Sequence, residues 1–521
     1  MSSRQKLPIG IQTFSEIRQE GHYYVDKTPH ILRLIEEGKY YFLSRPRRFG
    51  KSLLIDTIAE LFEGNRALFE GLHAQERWDW SRRFPVIRIS FGKGVLHGRA
   101  ELDETIRELL HAEQQRHGVS GGGTSISGQF TELIRSLHQK TGQRVVVLVD
   151  EYDKPILDNI TEPEVAREMR DGLRNLYSVI KDSDAHIRFA MLTGVSKFSK
   201  VSLFSGLNNL RDISVSADYS AICGYTDADV ETVFAPELPG LDREEIRRWY
   251  NGYNWSGTSV YNPFDLLLLF QKREFRPYWF ETGTPRFLVD LLTARQTFTP
   301  ELDARVSDLE LISSFDVEHI ETDALLFQAG YLTLRRAEEI LPGEWVYTLG
   351  YPNREVRASL NKALLPKLGL PGSEGLKQRL QLIQCLKRND FDALRSLFTA
   401  LFASIPNDWY RNNPIAHYEG YYASVFYSHF AALGLDIRLE DVTNKGRIDM
   451  SVLFNGQVYL FEFKVVEDAP QGRALQQIRD KGYADKYRAR GEPVHLIGVE
   501  FSREQRSVVS FEAETLPPQA S

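Results

Sequence analysis

Two adjacent residues in the C-terminal third, Asn455-Gly456, restrict the fold of this chain more than any other feature. They separate the run Asp449-Met-Ser-Val-Leu-Phe454 from the run Gln457-Val-Tyr-Leu-Phe-Glu462-Phe-Lys464. Asn-Gly accepts the positive φ angles of a two-residue reversal, so the segment reads as a β-hairpin. Such a turn pairs Phe454 with Gln457, and stepping outward brings Asp449 opposite Glu462. Side chains alternate with period two, so Glu462 and Lys464 share the face that presents Asp449. Directly opposed residues have Cβ atoms roughly 4.5–5.5 Å apart, a separation at which like charges repel. Two carboxylates so placed need a cation between them.

A third acid joins them. On a helix expected over residues 415–433, the apolar stripe Ile415, Tyr422, Phe426 and Phe430 also includes Glu419. An acid on an apolar face is costly unless it is paired or binds a metal. Oxygen ligands such as Glu419, Asp449 and Glu462 suit Mg2+ or Mn2+ rather than zinc. A divalent ion held there binds a phosphate oxygen and activates water, so the expected chemistry is phosphodiester hydrolysis. Lys464 would position that water or stabilise developing negative charge. Downstream, Arg473, Arg479, Lys481, Lys486, Arg488 and Arg490 face only Asp480 and Asp485 in the same stretch. A helix there, carrying Gln477 and Tyr483, either tracks a nucleic-acid backbone or is an ordinary solvated face; the sequence leaves both open.

Near the other end, Tyr40-Tyr-Phe-Leu-Ser-Arg-Pro-Arg-Arg-Phe-Gly-Lys-Ser52 reads as a strand, a tight loop and a helix start. Gly50-Lys51-Ser52 at a helix N-terminus aims backbone N–H groups and the positive dipole end at an anion. Lys51 would reach terminal phosphates and the Ser52 hydroxyl would hold Mg2+. The general phosphate-loop pattern has glycine where this chain has Arg45, so the match is incomplete. Support comes from Val145-Val-Val-Leu-Val-Asp150-Glu151, a continuous apolar strand ending in two carboxylates. Acids at the carboxyl edge of a parallel sheet lie where such sheets bind ligands. Asp150 would support Mg2+ through its water shell, and Glu151 would orient or deprotonate an attacking water. Thr193, after the strand Ile187–Leu192, would sense the γ-phosphate or simply cap a helix. The candidate ATP-binding positions are Arg48, Phe49, Gly50, Lys51, Ser52, Leu53, Asp150 and Thr193. Arg45, Arg47 and Arg48 read equally as phosphate contacts and as solvated loop charges.

Composition narrows the rest. A chain of 521 residues predicts roughly three or four domains. Hydrophobic content of 42% and charged content of 26% exclude a disordered or collagen-like polymer. With 64 lysines and arginines against 71 acids, the net charge of −7 excludes coating of nucleic acid by global charge. Any such contact must use local patches. Cys223 and Cys385 are too few for a disulfide scaffold or a thiolate zinc site, and the twelve histidines show no metal-ligand spacing. Met1–Ile11 has no signal-peptide core, and the longest apolar runs, Val145–Val149 and Leu266–Phe270, fall far short of the roughly 20 residues that span a bilayer. The expectation is a cytoplasmic protein without membrane contact. Pro/Gly clusters at Ala235–Asp242 and Pro366–Gly375 mark boundaries. They predict an alternating α/β block over 1–235, a middle region over 236–370, a helical linker over 371–405 and an α/β block over 406–512. The aromatic segments Tyr250–Trp255 and Tyr278–Phe280 of the middle region read as core.

Together these residues resemble a known family. Asp449, then Glu462-Phe463-Lys464, then Gln477, with Glu419 upstream, look like the PD-(D/E)XK nuclease pattern. Tyr24-Val-Asp-Lys-Thr28, Arg45-Pro-Arg-Arg-Phe-Gly-Lys-Ser52, Val149-Asp-Glu-Tyr-Asp-Lys-Pro155, Thr193–Phe198 and Phe204–Asn209 resemble AAA-ATPase-like proteins of bacteria and archaea that carry such a nuclease at the C-terminus. So do Tyr250–Tyr253, Tyr261–Pro263, Trp279–Gly283 and Tyr351–Asn353. The resemblance implies a doubly wound P-loop NTPase sheet, a mixed α/β or winged-helix-like middle region and a restriction-endonuclease-like α/β domain. It also implies a catalytic place for Gln477, and the Arg45 departure fits this family's own loop. The leading expectation is an ATP-binding hydrolase coupled to Mg2+-dependent cleavage of DNA, preferred over RNA, and a homo-oligomer is compatible with it. The alternative is a nucleotide-driven switch that binds nucleic acid or protein without cutting.

Overall fold

The computed structural model describes residues 4–120, 122–197, 209–282, 286–295, 299–308, 321–368, 372–403, 419–443, 445–505 and 507–518. Ile415, Phe198, Gly283 and residues 204–208, used in the sequence reading, lie outside the described residues. Two compact units form: residues 1–283 with 305–353, and residues 284–304 with 354–521.

The first unit is built on a parallel sheet. Its strands are β1 (Tyr40–Ser44), β2 (Val86–Ser90), β3 (Val145–Asp150), β4 (Ile187–Gly194) and the short β5 (Arg211–Asp212), in the order β2-β3-β4-β1-β5. Every ladder is parallel. Val145–Val149 are fully buried, as an uninterrupted β-branched run requires, each side chain contributing roughly 1.5–3 kcal/mol by leaving water. Helices α1 (Lys51–Phe62), α2 (Arg99–His117), α3 (Ile126–Thr141) and α4 (Pro163–Asp182) pack around the sheet. In α4 the residues Ala166, Met169, Leu173, Leu176 and Ile180 recur at helical spacing and are buried, leaving the charged positions outside. The strand order places β4 between β1 and β3, with Ser44 beside Gly194. The phosphate loop, Thr193 and Asp150 therefore emerge at one carboxyl edge.

Most of the middle region, residues 236–283 and 305–353, groups with this same unit, while residues 284–304 group with the other. The Pro/Gly cluster at 235–242 marks a turn, while side-chain packing decides membership. Phe49 of the phosphate loop lies edge-on to Tyr253 at 4.7 Å and to Trp255 at 5.5 Å. Tyr250, Tyr253, Trp255, Tyr278 and Trp279 are buried. A small antiparallel sheet follows, β6 (Arg305–Ser307), β7 (Thr333–Leu341) and β8 (Glu344–Gly350), in the order β6-β8-β7.

The second unit centres on a mixed sheet. It contains β9 (Asp436–Thr443), β10 (Gly446–Phe454), β11 (Gln457–Val466), β12 (Val494–Ser502) and β13 (Ser507–Leu516), ordered β13-β12-β11-β10-β9. β11 and β12 run parallel and the other neighbours antiparallel. One face buries Met450, Val452, Tyr459, Phe461 and Phe463 against α5 (Phe391–Ala403) and α6 (Glu419–Ala431). The other buries Val458 and Leu460 beneath Leu475 and Ile478 of α7 (Arg473–Lys481). Period-two alternation in β11 thus assigns even-numbered residues, Glu462 among them, to the α7 side.

Candidate functional site

The hairpin forms in the expected register, from Phe454 opposite Gln457 to Met450 opposite Phe461. Asn455 and Gly456 both have positive φ, 52° and 70°, the twist a two-residue turn between antiparallel strands requires. The ladder stops one step short of Asp449. On the other side of β10, pairing passes from Ile448–Asp441 to Met450–Leu439 and skips Asp449, and Glu440 of β9 has φ 45°. Ile448 packs in the core under α7 whereas Met450 packs in the opposite one, so alternation breaks at this residue. The Asp449 carboxylate turns toward β11, where its Oδ2 accepts from the Phe463 N–H at 2.7 Å.

Beside it, Glu462 is buried to 1% exposure. Its Oε1 accepts from the Gln477 amide and from Lys464 Nζ at 3.3 Å. Its Oε2 is buried without a hydrogen-bond partner. Burial, then the Asp449 charge, push the Glu462 carboxyl up to about 8, and Lys464 opposes them. A buried acid with an unsatisfied oxygen next to a second carboxylate is a poor arrangement for stability alone, and its donor set fits a hard divalent cation. Glu419 begins α6, but its side chain lies outside what is described. Among the described residues no group of three or more His, Cys, Asp or Glu is assembled for a metal.

Gln477 reaches Glu462 because α7 lies directly on the sheet. Gly498 pairs with Glu462 across β11 and β12, and a Cβ there would stand 2.3 Å from the Leu475 backbone nitrogen. Glu500, also buried, accepts from the backbone N–H groups of Gln471 and Arg473, both at 2.6 Å, and fastens the start of the helix. Tyr483, just beyond α7 and 2% exposed, packs in the same core as Leu475 and Ile478. Sequence reasoning missed Gly498 and Glu500. The signal was a glycine and an acid inside the apolar run Val494–Phe501.

In the basic stretch after Lys464, four of the six basic side chains have acidic partners. Arg479 pairs with Glu514, Lys486 with Asp441, Arg488 with Asp485 and Arg490 with Glu492. Two of those acids, Asp441 and Glu514, come from other strands, so counting charges within the stretch overstated its positive field.

At the carboxyl edge of the parallel sheet, Gly50 has φ 89° and precedes α1, whose first residue is Lys51. Lys51 is buried, and its ammonium donates to the carbonyls of Arg45 at 2.9 Å and Pro46 at 3.1 Å. Burial pushes its pKa down while Asp150 and Asp153 pull it up. Ser52 Oγ donates to Asp150 Oδ2 at 2.5 Å, and Thr193 Oγ1 donates to Asp150 Oδ1 at 2.7 Å. The acid thus joins the phosphate loop to β4, and the Thr193 hydroxyl is engaged with Asp150. Glu151 adopts φ 53°, a left-handed conformation unfavourable for a residue with a Cβ, and burial followed by the Asp150 charge raises its carboxyl above the usual range. Asp153, unremarked in the sequence reading, accepts from Ser196 N at 2.6 Å and Ser196 Oγ at 2.7 Å, tying the ends of β3 and β4. Arg47 and Arg48 are exposed, Arg48 lying over the Phe264 ring at 4.9 Å. Phe49 packs inward, and Leu53 is half-buried in the first turn of α1.

Arg45 is neither a phosphate contact nor a solvated charge. It is 1% exposed, donates to the carbonyls of Ser44, Ser214 and Tyr219, and stacks on Trp255 at 3.9 Å. Arg45→Ala would strand three acceptors and open a cavity, so a loss of at least about 3 kcal/mol is expected. Arg47→Ala, at an exposed position, should stay within about 0.5 kcal/mol of the parent. Denaturant unfolding of the two variants checks the contrast.

A phosphate loop between parallel strands and a hairpin carboxylate–lysine cluster on a mixed sheet define a P-loop ATPase-like protein with a restriction-endonuclease-like domain. Residues 8–204 match the family described as "Predicted AAA-ATPase", and residues 417–511 match the PD-(D/E)XK nuclease superfamily. The chain belongs to the family of AAA-ATPase-like proteins with a C-terminal PD-(D/E)XK nuclease domain. It is 68% identical over 515 residues to the "Uncharacterized protein in vnfD 5'region" of Azotobacter chroococcum mcd 1, covering 99% of this chain and 100% of that protein. Among the described residues no helix is long and apolar enough to cross a membrane.

Proposed function

We propose that this chain is an ATP-hydrolysing, metal-dependent nuclease that cuts DNA, with nucleotide bound by Gly50, Lys51 and Ser52 and phosphodiester hydrolysis centred on Asp449, Glu462 and Lys464. The observation that carries this reading is the unpartnered Oε2 of buried Glu462 beside Asp449. Asp449 and Glu462 would hold Mg2+ or Mn2+, which supplies Lewis-acid polarisation of the scissile phosphate and of water. Gln477 fixes the rotamer of Glu462 by donating to Oε1, which leaves Oε2 for the ion. Lys464 brings a positive charge to where the pentavalent phosphate gathers negative charge. In the other unit, Ser52, held by Asp150, would help hold a nucleotide-bound Mg2+, and Glu151, its carboxyl raised, would accept a proton from water.

The test pairs a cleavage gel with ATP turnover. Wild-type protein should nick or degrade DNA with Mg2+ or Mn2+, and Asp449→Ala and Lys464→Ala should each lower the rate by at least about 10²–10³-fold. Lys51→Ala should abolish tight ATP binding. Cleavage that survives both C-terminal substitutions would reject the assigned centre. Nucleotide-dependent binding without nicking in either metal, on DNA and RNA alike, would leave a switch instead of a nuclease.

A further inference from the structure

Basic side chains collect at the amino edge of the parallel sheet, the end away from the phosphate loop. Arg82 precedes β2, Arg144 immediately precedes β3, Arg188 is the second residue of β4, and Lys39 immediately precedes β1. The sheet order β2-β3-β4-β1 sets these four side by side. Arg135 and His138, in the last turns of α3, join them, and His138 Nδ1 lies 2.8 Å from Nδ1 of His186.

The charges acting on these groups are mostly of one sign. Arg188 is half-buried, and burial together with Arg144 and Arg82 pushes its pKa down, with no acid opposing. His186 likewise feels burial, His138 and Arg135. Arg135, Arg144 and Arg188 form no hydrogen bond or ion pair among the described residues. Two acids are near. Asp79 is an exposed partner of Arg82 at 3.4 Å, and Asp184 accepts from Lys39 and from Tyr40 OH, both at 2.6 Å, with Arg144 acting on it as well. Elsewhere in the same sheet an arginine is handled differently: Arg88 of β2 is surrounded by Asp56, Glu60 and Glu63. In a chain of net charge −7, unpaired guanidinium groups massed on one edge repel each other unless an anion joins them.

We propose that this edge binds the phosphate backbone of nucleic acid. Neighbouring strands are about 4.8 Å apart, so the row from Arg82 to Lys39 extends over about 15 Å. That length matches about five successive phosphates of one strand in a duplex, at about 3.4 Å between neighbours along the axis. Guanidinium forks suit phosphate oxygens, and such contacts hold the polymer without reading its sequence. The inference shares with the proposed function the idea that the substrate is a nucleic acid, but it assigns a holding surface on the ATPase unit, separate from the cutting residues.

The experiment uses full-length protein carrying Asp449→Asn in metal-free buffer, with a fluorescent DNA duplex followed by anisotropy across a salt series. The triple variant Arg135→Gln/Arg144→Gln/Arg188→Gln should bind at least about tenfold more weakly at low salt. Its log–log salt slope should be shallower by about 0.9 for each phosphate contact removed. Arg144→Gln alone, at an exposed position, should remove about one such contact and guards against misfolding of the triple variant. An unchanged affinity and slope in the triple variant overturns the proposal, as does a wild-type chain that binds no DNA. Displacement of the duplex by polyglutamate as effectively as by unlabelled DNA also overturns it and assigns the edge to an acidic protein. Failure of the nuclease reading is seen separately: a wild-type protein that never cuts can still show the slope change.

Discussion

Glu462→Gln is expected to abolish cleavage and, at the same time, to stabilise the metal-free protein at alkaline pH. The folded-state carboxyl titrates at about 8 against an ordinary value of 4.5. Between those two values the folded state keeps a proton that the unfolded chain has released. The stability this group contributes is therefore fully present below the unfolded value and is lost as pH rises through about 8. Above that, wild-type protein holds a desolvated negative charge beside Asp449. Glutamine retains the shape and an oxygen that can accept from Gln477 and Lys464, yet has no proton to lose. Thermal unfolding in the presence of a chelator, from about pH 6 to about pH 9, should show the wild-type transition falling with pH and the variant transition nearly level. Adding Mn2+ should reverse the order, since an ion that binds only the folded state stabilises it by mass action and needs the ionised carboxylate. The cleavage rate should fall by about 10²–10³-fold or more. Parallel pH profiles for the two proteins, or equal stabilisation of both by Mn2+, would show that Glu462 is not the group that meets the ion.

What the sequence disclosed and what it hid divide along physical lines. The Asn455-Gly456 turn was legible because its backbone requirement is local, and a two-residue loop fixes the register of everything it joins. The strand Val145–Val149 and the Gly50-Lys51-Ser52 helix start were legible for the same reason. Arg45 was not, because its partners Ser214, Tyr219 and Trp255 lie some hundred and seventy to two hundred and ten residues away. A guanidinium in a phosphate loop looks like a phosphate ligand until those partners are known. The partners of the basic stretch after Lys464 were hidden in the same way, since Asp441 and Glu514 approach it only in three dimensions. Asp449 lies between these cases. The hairpin placed it one step beyond the last paired residues, but nothing local announced the break in alternation that turns its carboxylate onto Phe463 N–H.

Gly498→Ala tests the part of the site that sequence could not show, the seating of α7. The glycine does not need an unusual backbone conformation; it needs room. An added Cβ would lie 2.3 Å from Leu475 N and 2.8 Å from both Leu475 Cα and Cβ. Most of that obstruction is helix backbone, which no rotamer change relieves. The helix would have to lift by on the order of 1 Å to restore van der Waals separation. Overpacking of this kind costs about 1–3 kcal/mol. The effect on chemistry should exceed the effect on stability, because Gln477 rides on the helix and a 1 Å misplacement of a positioning group costs about 10²-fold in rate. Cleavage should therefore fall by more in Gly498→Ala than in Gln477→Ala, since Tyr483, packed in one core with Leu475 and Ile478 of the helix, shifts as well. Leu475→Ala should not rescue the variant, because the atoms in the way, N, Cα and Cβ, are all retained by alanine. ATP binding through Lys51 serves as the internal control and should be unchanged. A Gly498→Ala protein with parental unfolding temperature and parental cleavage would mean that α7 is not pressed against β12, and the placement of Gln477 on Glu462 would lose its structural basis.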